Sequence, residues 1–253
     1  MSSLDCDRHG VLLVMVQRND AGKNMGNGIW TLLLDIDGTL MRTQGAGLRA
    51  ICAVMEERYG VKQLPEIQVH GRTDHGIWYE IFEKLGIAIP DSLEELIDDY
   101  CLRLERELND APGVLLPGVI ELLKRLKDDP NVAVGILTGN ARRAAEIKLR
   151  RFQLEGFIEP FGGFGDRYSD RNDVAMAALD SAGTYLGAKF SPSRCVVIGD
   201  TTNDIRCARS IGAKVIAVCT GGQDRISLSA SQPDLVLDDL SQHENVIFFI
   251  TGN

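Results

Sequence analysis

Five short apolar runs, each closed by Asp, Thr or Gly, constrain this chain more than any other feature: "TLLLDID" at 31–37, "VAVGILTGN" at 132–140, "CVVIGDTTND" at 195–204, "KVIAVCTGG" at 214–222 and "LVLDDL" at 235–240. Each has the length of a strand and is rich in Val, Ile and Leu, the composition of a strand covered on both faces. Between and before them lie helical patterns at 118–129, 141–152, 171–187 and 202–212. Strand alternating with helix predicts an α/β fold with a doubly wound parallel sheet. In such sheets ligands bind beyond the carboxyl ends of the strands, and that is where the polar residues of these runs stand.

One interval breaks the alternation. Residues 45–115 hold no strand pattern but helical patterns at 46–59, 74–85 and 91–109. Leu93, Leu96, Ile97, Tyr100, Leu104 and Leu108 recur every three or four residues, an amphipathic stripe. An insert of this size after the first strand is more than a crossover, so a small helical cap domain is expected over 45–115, with the α/β core built from 30–44 and 116–253. Residues 1–29 read as an N-terminal extension. They carry an apolar patch at 11–16, a possible edge strand, followed by the Asn- and Gly-rich "QRNDAGKNMGNG".

Composition narrows the partners. A formal net charge of -9 argues against nucleic acid or an anionic membrane. The apolar run at 11–16 is too short to span a bilayer and lacks a signal-peptide layout. The six cysteines are scattered without a CxxC pair, as expected of reduced thiols in a cytoplasmic protein. The remaining expectation is a small-molecule partner and a monomer or homodimer.

The chemistry sits at the strand ends. Asp35 and Asp37, two residues apart in an extended segment, point to the same side, and their repulsion makes sense if a cation such as magnesium lies between them. The plainer reading is a strand-to-loop turn, since Asp-Gly is common there. In "LTGN", Thr138 and the Gly139 amide can hold phosphate oxygens near a helix start, or simply cap that helix. Asp200 follows the third run directly and can complete a cation site, with Asp204 capping or orienting it, or both are solvated loop acids. Three strand ends bearing such groups together outweigh the plain reading of each.

"DIDGTL", "ILTGN" and "VVIGDTTND" resemble, in the right order, the first, second and fourth motifs of the haloacid dehalogenase-like hydrolases. The resemblance runs from Thr31 to about Leu240, and the insert resembles the C1-type cap of phosphoglycolate phosphatase-like members. It implies a Rossmann-like core and a magnesium-dependent phosphatase acting on a small phosphorylated metabolite. Asp35 is then the nucleophile that becomes an aspartyl phosphate, and Asp37 the acid and base. Asp35, the main-chain carbonyl of Asp37 and Asp200 are the metal ligands, and Thr138 binds the phosphoryl group. Asp37 also favours phosphate esters over halides, because halide leaves without a proton. A β-phosphoglucomutase-like phosphomutase shares these motifs, and a non-catalytic phosphate-binding protein on the same fold is a further alternative.

One element departs from the family. Its third motif places a lysine before the helix leading to the fourth, and the corresponding "FGGFGDRYSDRND" has none. Lys148, on the helix after "LTGN", and Arg171 are the two candidates, with Lys148 preferred. In the insert, "HGRTDHGIW" resembles a loop that faces the active site in capped members, so Arg72 is a candidate contact for a substrate phosphate or carboxylate. Thr73 or Asp74 can cap the following helix, and His70 and His75 read as loop residues.

Overall fold

The computed structural model describes residues 28–111 and 113–252. In chain order the elements are β1 (Trp30–Leu34), β2 (Met41–Arg42), α1 (Ala46–Tyr59), α2 (Asp74–Leu85), α3 (Glu94–Asp110), β3 (Val114–Leu115), α4 (Val119–Lys127), β4 (Val132–Leu137), α5 (Arg142–Arg151), β5 (Gly162–Gly163), α6 (Arg171–Leu186), β6 (Cys195–Gly199), α7 (Thr202–Ser210), β7 (Lys214–Val218), α8 (Arg225–Ala230), β8 (Leu235–Leu237) and α9 (His243–Thr251).

Six strands form one parallel sheet in the order β5-β4-β1-β6-β7-β8. β1 is central, flanked by β4 and β6, so the loops after β1, β4 and β6 open side by side at one edge. The pleat divides the apolar side chains between two layers. Leu32 and Leu34 pack with α4, α5 and α9, while Leu33 packs with the Ala175, Ala178 and Ala182 stripe of α6 and with α7.

Helices α1, α2 and α3 gather around their own apolar cluster, centred on Trp78, Phe82, Tyr100 and Leu104. Trp78 meets Tyr100 edge-on at 6.1 Å between ring centroids, a favoured aromatic geometry. Ala141, Ala144 and Ile147 join this cluster from the α5 end, so the helical segment packs on the sheet domain there.

The structure differs from the sequence reading at several points. Val114–Leu115 is a strand after all, pairing antiparallel with Met41–Arg42 where the chain enters and leaves the helical segment. Two residues are too few to show a period. β5, α8 and α9 also went unread, being short or, for β5, built of two glycines. The patch at 11–16 lies outside the described residues. The five cysteines among the described residues are free: Cys101, Cys195 and Cys207 are buried, Cys219 is half-buried and Cys52, on α1, is exposed. No helix among the described residues is long and apolar enough to cross a membrane.

Candidate active site

The carboxyl ends of β1, β4 and β6 form the floor of a cavity of about 390 Å³, roofed by α1, the 69–72 loop, α2 and α3. Asp35 and Asp37 both line it, as period-two alternation requires. Their surroundings differ. Asp35, 5% exposed, accepts from Arg171 at 3.2 Å. Burial pushes its carboxyl up to about 7; the Arg171 guanidinium opposes that, and Asp204 and Asp37 add to it.

Asp37 turns toward a different cation. Lys148 Nζ lies 2.5 Å from its Oδ2, and Asn140 Nδ2 donates to the same oxygen at 2.7 Å. Burial acts to raise this carboxyl, but the Lys148 ammonium and the hydrogen bonds from Lys148, Asn140 and Thr43 outweigh it and hold Asp37 below the usual carboxylate range. Lys148 itself is 3% exposed and also donates to Asn140 Oδ1 at 2.6 Å. Two separate side-chain cations thus answer the repulsion within "DID".

Gly38 sits at φ +86°, and a Cβ there would fall 2.4 Å from Asp200 Oδ2, so only glycine lets β1's loop pass this close. Asp200 accepts from Thr39 Oγ1 at 3.2 Å. Burial, then the Asp204 and Asp35 charges, push its carboxyl up to about 9. Oxygens of Asp35, Asp200 and Asp204 lie within 4.8 Å of one another. Asp204, however, is heavily engaged. Its Oδ2 accepts from the Thr201 N–H and hydroxyl in a capping box that starts α7, and its Oδ1 accepts from Arg171.

Thr138 ends β4, its N–H donating to the Gly163 carbonyl at 3.1 Å. It stands three residues before the Ala141 cap of α5, so it is not that helix's cap. Its hydroxyl accepts from Asn140 Nδ2 at 2.8 Å. A Cβ on Gly139 would lie 1.8 Å from the Arg72 carbonyl, because the 71–74 loop presses directly on "LTGN". There the Asp74 N–H donates to the Gly139 carbonyl at 2.7 Å, and Asp74 Oδ2 accepts from the Ala141 N–H at 2.7 Å. Asn203 closes the same seam from α7, donating to the Gly71 carbonyl at 2.9 Å.

Carboxylates at the ends of β1 and β6 and a Thr-Gly pair at the end of β4 thus meet under a helical roof, and the comparisons with known proteins place the chain in a family. The sequence profile described as "Haloacid dehalogenase-like hydrolase" matches residues 32–218, most of the chain. This chain belongs to the haloacid dehalogenase-like hydrolase family. A phosphoglycolate phosphatase from Synechococcus elongatus is 30% identical over 138 residues, 54% of this chain and 61% of that protein. The pyrophosphatase PpaX of Bacillus mycoides is 26% identical over 224 residues, 88% of this chain and 98% of that protein. Among solved structures, a hydrolase from Pseudomonas syringae superposes with a TM-score of 0.64 at 25% identity, over 87% of this chain and 99% of that one. CbbY from Rhodobacter sphaeroides, in complex with phosphate, superposes at 0.66 over 85% of this chain and 96% of that one, at 20% identity, a likeness of fold.

Within this haloacid dehalogenase-like hydrolase the residues singled out from sequence converge: Asp35, Asp37, Thr138, Gly139, Lys148, Arg171, Asp200 and Arg72 all line the cavity. Lys148 and Arg171 both reach the floor, each on its own aspartate. Arg72 reaches the wall, but its guanidinium is paired with Glu80 and donates to the Gly76 carbonyl at 3.2 Å. Thr73 caps α2, accepting from the Gly76 N–H at 3.1 Å. His75 lies in the first turn of α2 rather than in a loop, stacked on Tyr79. Asn140, Thr43 and Tyr100 went unread as site residues. Asn140 stood next to Thr-Gly in the second motif and was the one with a visible signal.

Proposed function

We propose that this protein is a magnesium-dependent phosphatase that hydrolyses a small phosphorylated metabolite through an aspartyl phosphate on Asp35. The observation that carries this reading is the split environment of the two aspartates. Asp37 is held by Lys148 and Asn140, while Asp35 faces the acidic floor with Asp200. Two carboxylates kept apart in this way suit two roles.

Asp35 attacks phosphorus, forming an acyl-phosphate bond as the ester P–O bond breaks. Asp37 is the proton carrier: its minor protonated form gives a proton to the departing alkoxide, and the carboxylate then takes one from the water that attacks the aspartyl phosphate, returning Asp35 and free phosphate. The Thr138 hydroxyl and the Gly139 N–H hold phosphoryl oxygens. Lys148 orients Asp37 and adds positive charge beside the transferring group, and Arg171 fixes Asp35 from below.

The floor suits a hard divalent cation: three buried carboxylates stand within 4.8 Å, and burial, then the Asp204 and Asp35 charges, push the Asp200 carboxyl up. Asp35, the Asp37 main-chain carbonyl and Asp200 would hold it, and Asp204 would serve as the brace for Arg171. Bound magnesium supplies charge neutralisation for the phosphoryl group and its attacking carboxylate.

Residues 45–115 act as the cap, with the Gly71–Asp74 contacts as its docking seam, excluding bulk water from the intermediate. The enzyme works in the cytoplasm, where its thiols stay reduced. Phosphate release from p-nitrophenyl phosphate, with magnesium or with EDTA, tests the reading in wild type and Asp35→Asn. Magnesium-dependent release that the substitution abolishes is expected; release that survives Asp35→Asn refutes the nucleophile. A phosphomutase using the same groups would instead transfer phosphate between sugar positions without net release.

A further inference from the structure

The roof of the cavity carries information about the leaving group that the floor does not. Its surface comes from Leu48 and Ile51 of α1, Val69, Ile77 of α2 and Tyr100 of α3. Four of these five are aliphatic. The cationic side chains that line the cavity are Arg42, Arg72, Lys148 and Arg171; three are paired with carboxylates, and Arg42 is turned to a main-chain carbonyl of the core rather than to the roof. Arg42 donates to the Thr220 carbonyl, with Nε at 3.0 Å. Arg72 is held by Glu80 and the Gly76 carbonyl. Lys148 and Arg171 serve Asp37 and the Asp35–Asp204 pair. His70, at the mouth, is exposed.

Besides Gln44 and His70, both exposed, two polar features stand on the roof. One is the start of α1, where Gly45 is the cap and offers no side-chain acceptor. The other is the Tyr100 hydroxyl. Tyr100 is 2% exposed, and its hydroxyl has no hydrogen-bond partner among the described residues. It lies beside the α1 start, 3.3 Å from where a Cβ on Gly47 would stand. A second anion on the substrate would lose its water against an aliphatic wall, with four aspartates lining the same cavity. A helix start repays only a small part of a buried carboxylate's desolvation without a counter-charge beside it. A neutral oxygen loses less, and the Tyr100 hydroxyl can complete its hydrogen bond.

Resting on the phosphatase reading above, we infer that the substrate is the monophosphate ester of a small uncharged alcohol. Its leaving group presents an apolar side to Leu48, Ile51 and Ile77 and one hydroxyl or carbonyl oxygen to Tyr100. The leaving groups of phosphoglycolate and of pyrophosphate, both anionic, fit this roof poorly.

The test compares kcat/KM, with magnesium, for propyl phosphate, glycerol phosphate, 2-phosphoglycolate, its uncharged carboxamide, and pyrophosphate. The neutral esters are expected to exceed phosphoglycolate and pyrophosphate by about tenfold or more, the scale of one desolvated charge left without a partner. Tyr100→Phe should narrow the advantage of glycerol phosphate over propyl phosphate several-fold. Glu80→Gln, which releases Arg72, should raise phosphoglycolate relative to its carboxamide. Phosphoglycolate or pyrophosphate matching the neutral esters would overturn the inference while leaving the phosphatase intact.

Absence of all turnover would instead count against the phosphatase reading. Calorimetric titration of the magnesium-loaded protein with propyl phosphate and with phosphoglycolate then decides the inference without chemistry. Tighter binding of propyl phosphate supports it, and equal or tighter binding of phosphoglycolate, or no binding of either, overturns it.

Discussion

Lys148 controls the state of Asp37. It is almost wholly buried and sits 2.5 Å from a carboxylate whose side chain is 39% exposed to the cavity. Lys148→Met should lower turnover on the order of 10²-fold or more, the usual worth of a positioned acid and base. The sign of the pH effect follows from the pair. Lys148 favours the ionised carboxylate, so without it Asp37 titrates at higher pH, and the limb of the kcat/KM profile that reports Asp37 moves up. In the wild type the same pair contributes stability above the unfolded carboxylate value, lost as pH falls through the lower folded value. A pH–rate profile of the two proteins checks the shift, and an unmoved limb would remove Lys148 from this role.

The start of α7 links helix chemistry to the site. Thr201 and Asp204 form a reciprocal capping box, and the same Asp204 receives Arg171, which in turn holds Asp35. Thr201→Ala removes one arm of the box, with an expected cost of about 1 kcal/mol. For a protein of this size that is a fall of roughly 2–4 °C in Tm. Because Asp204 then loses the hydroxyl that fixes it, kcat should fall more than a surface cap of equal cost would explain. Melting and turnover of Thr201→Ala beside Asp224→Ala, a cap of α8 whose side chain does not line the cavity, separate the two effects. The seam at Asp74 has the same character, a carboxylate shared between the start of α2 and the start of α5, with burial pushing it up to about 6.

For the whole molecule, the concentration of acids at one edge of the sheet makes stability depend on pH and metal together. Burial pushes the Asp35 and Asp200 carboxyls up to about 7 and about 9, above the ordinary carboxylate value of 3.8. Groups raised on folding bind more protons in the native state, so metal-free stability declines as pH rises from about 4 toward 9. On the proposed reading, magnesium replaces those protons. The rise in Tm on adding magnesium to protein treated with EDTA should therefore be larger at pH 8.5 than at pH 5.5. A magnesium effect independent of pH would mean that the ion binds elsewhere.

By itself the sequence determined the parallel α/β core, the helical segment after the first strand and the strand-end residues Asp35, Asp37, Thr138 and Asp200. Those features are written in local periodicity and in residue type at the end of an apolar run, which one stretch of chain carries alone. Even the ambiguity between Lys148 and Arg171 was legible, as a missing lysine in "FGGFGDRYSDRND". Tertiary structure decided the rest. That Lys148 takes Asp37 while Arg171 takes Asp35 depends on α5 and α6 lying on opposite faces of the sheet, a matter of packing with no local signature. The pairing of Arg72 with Glu80, the open hydroxyl of Tyr100 and the role of Asn140 follow from how the roof meets the floor. Contacts between residues distant in the chain are chosen by which surfaces bury each other, and only the folded chain makes that choice.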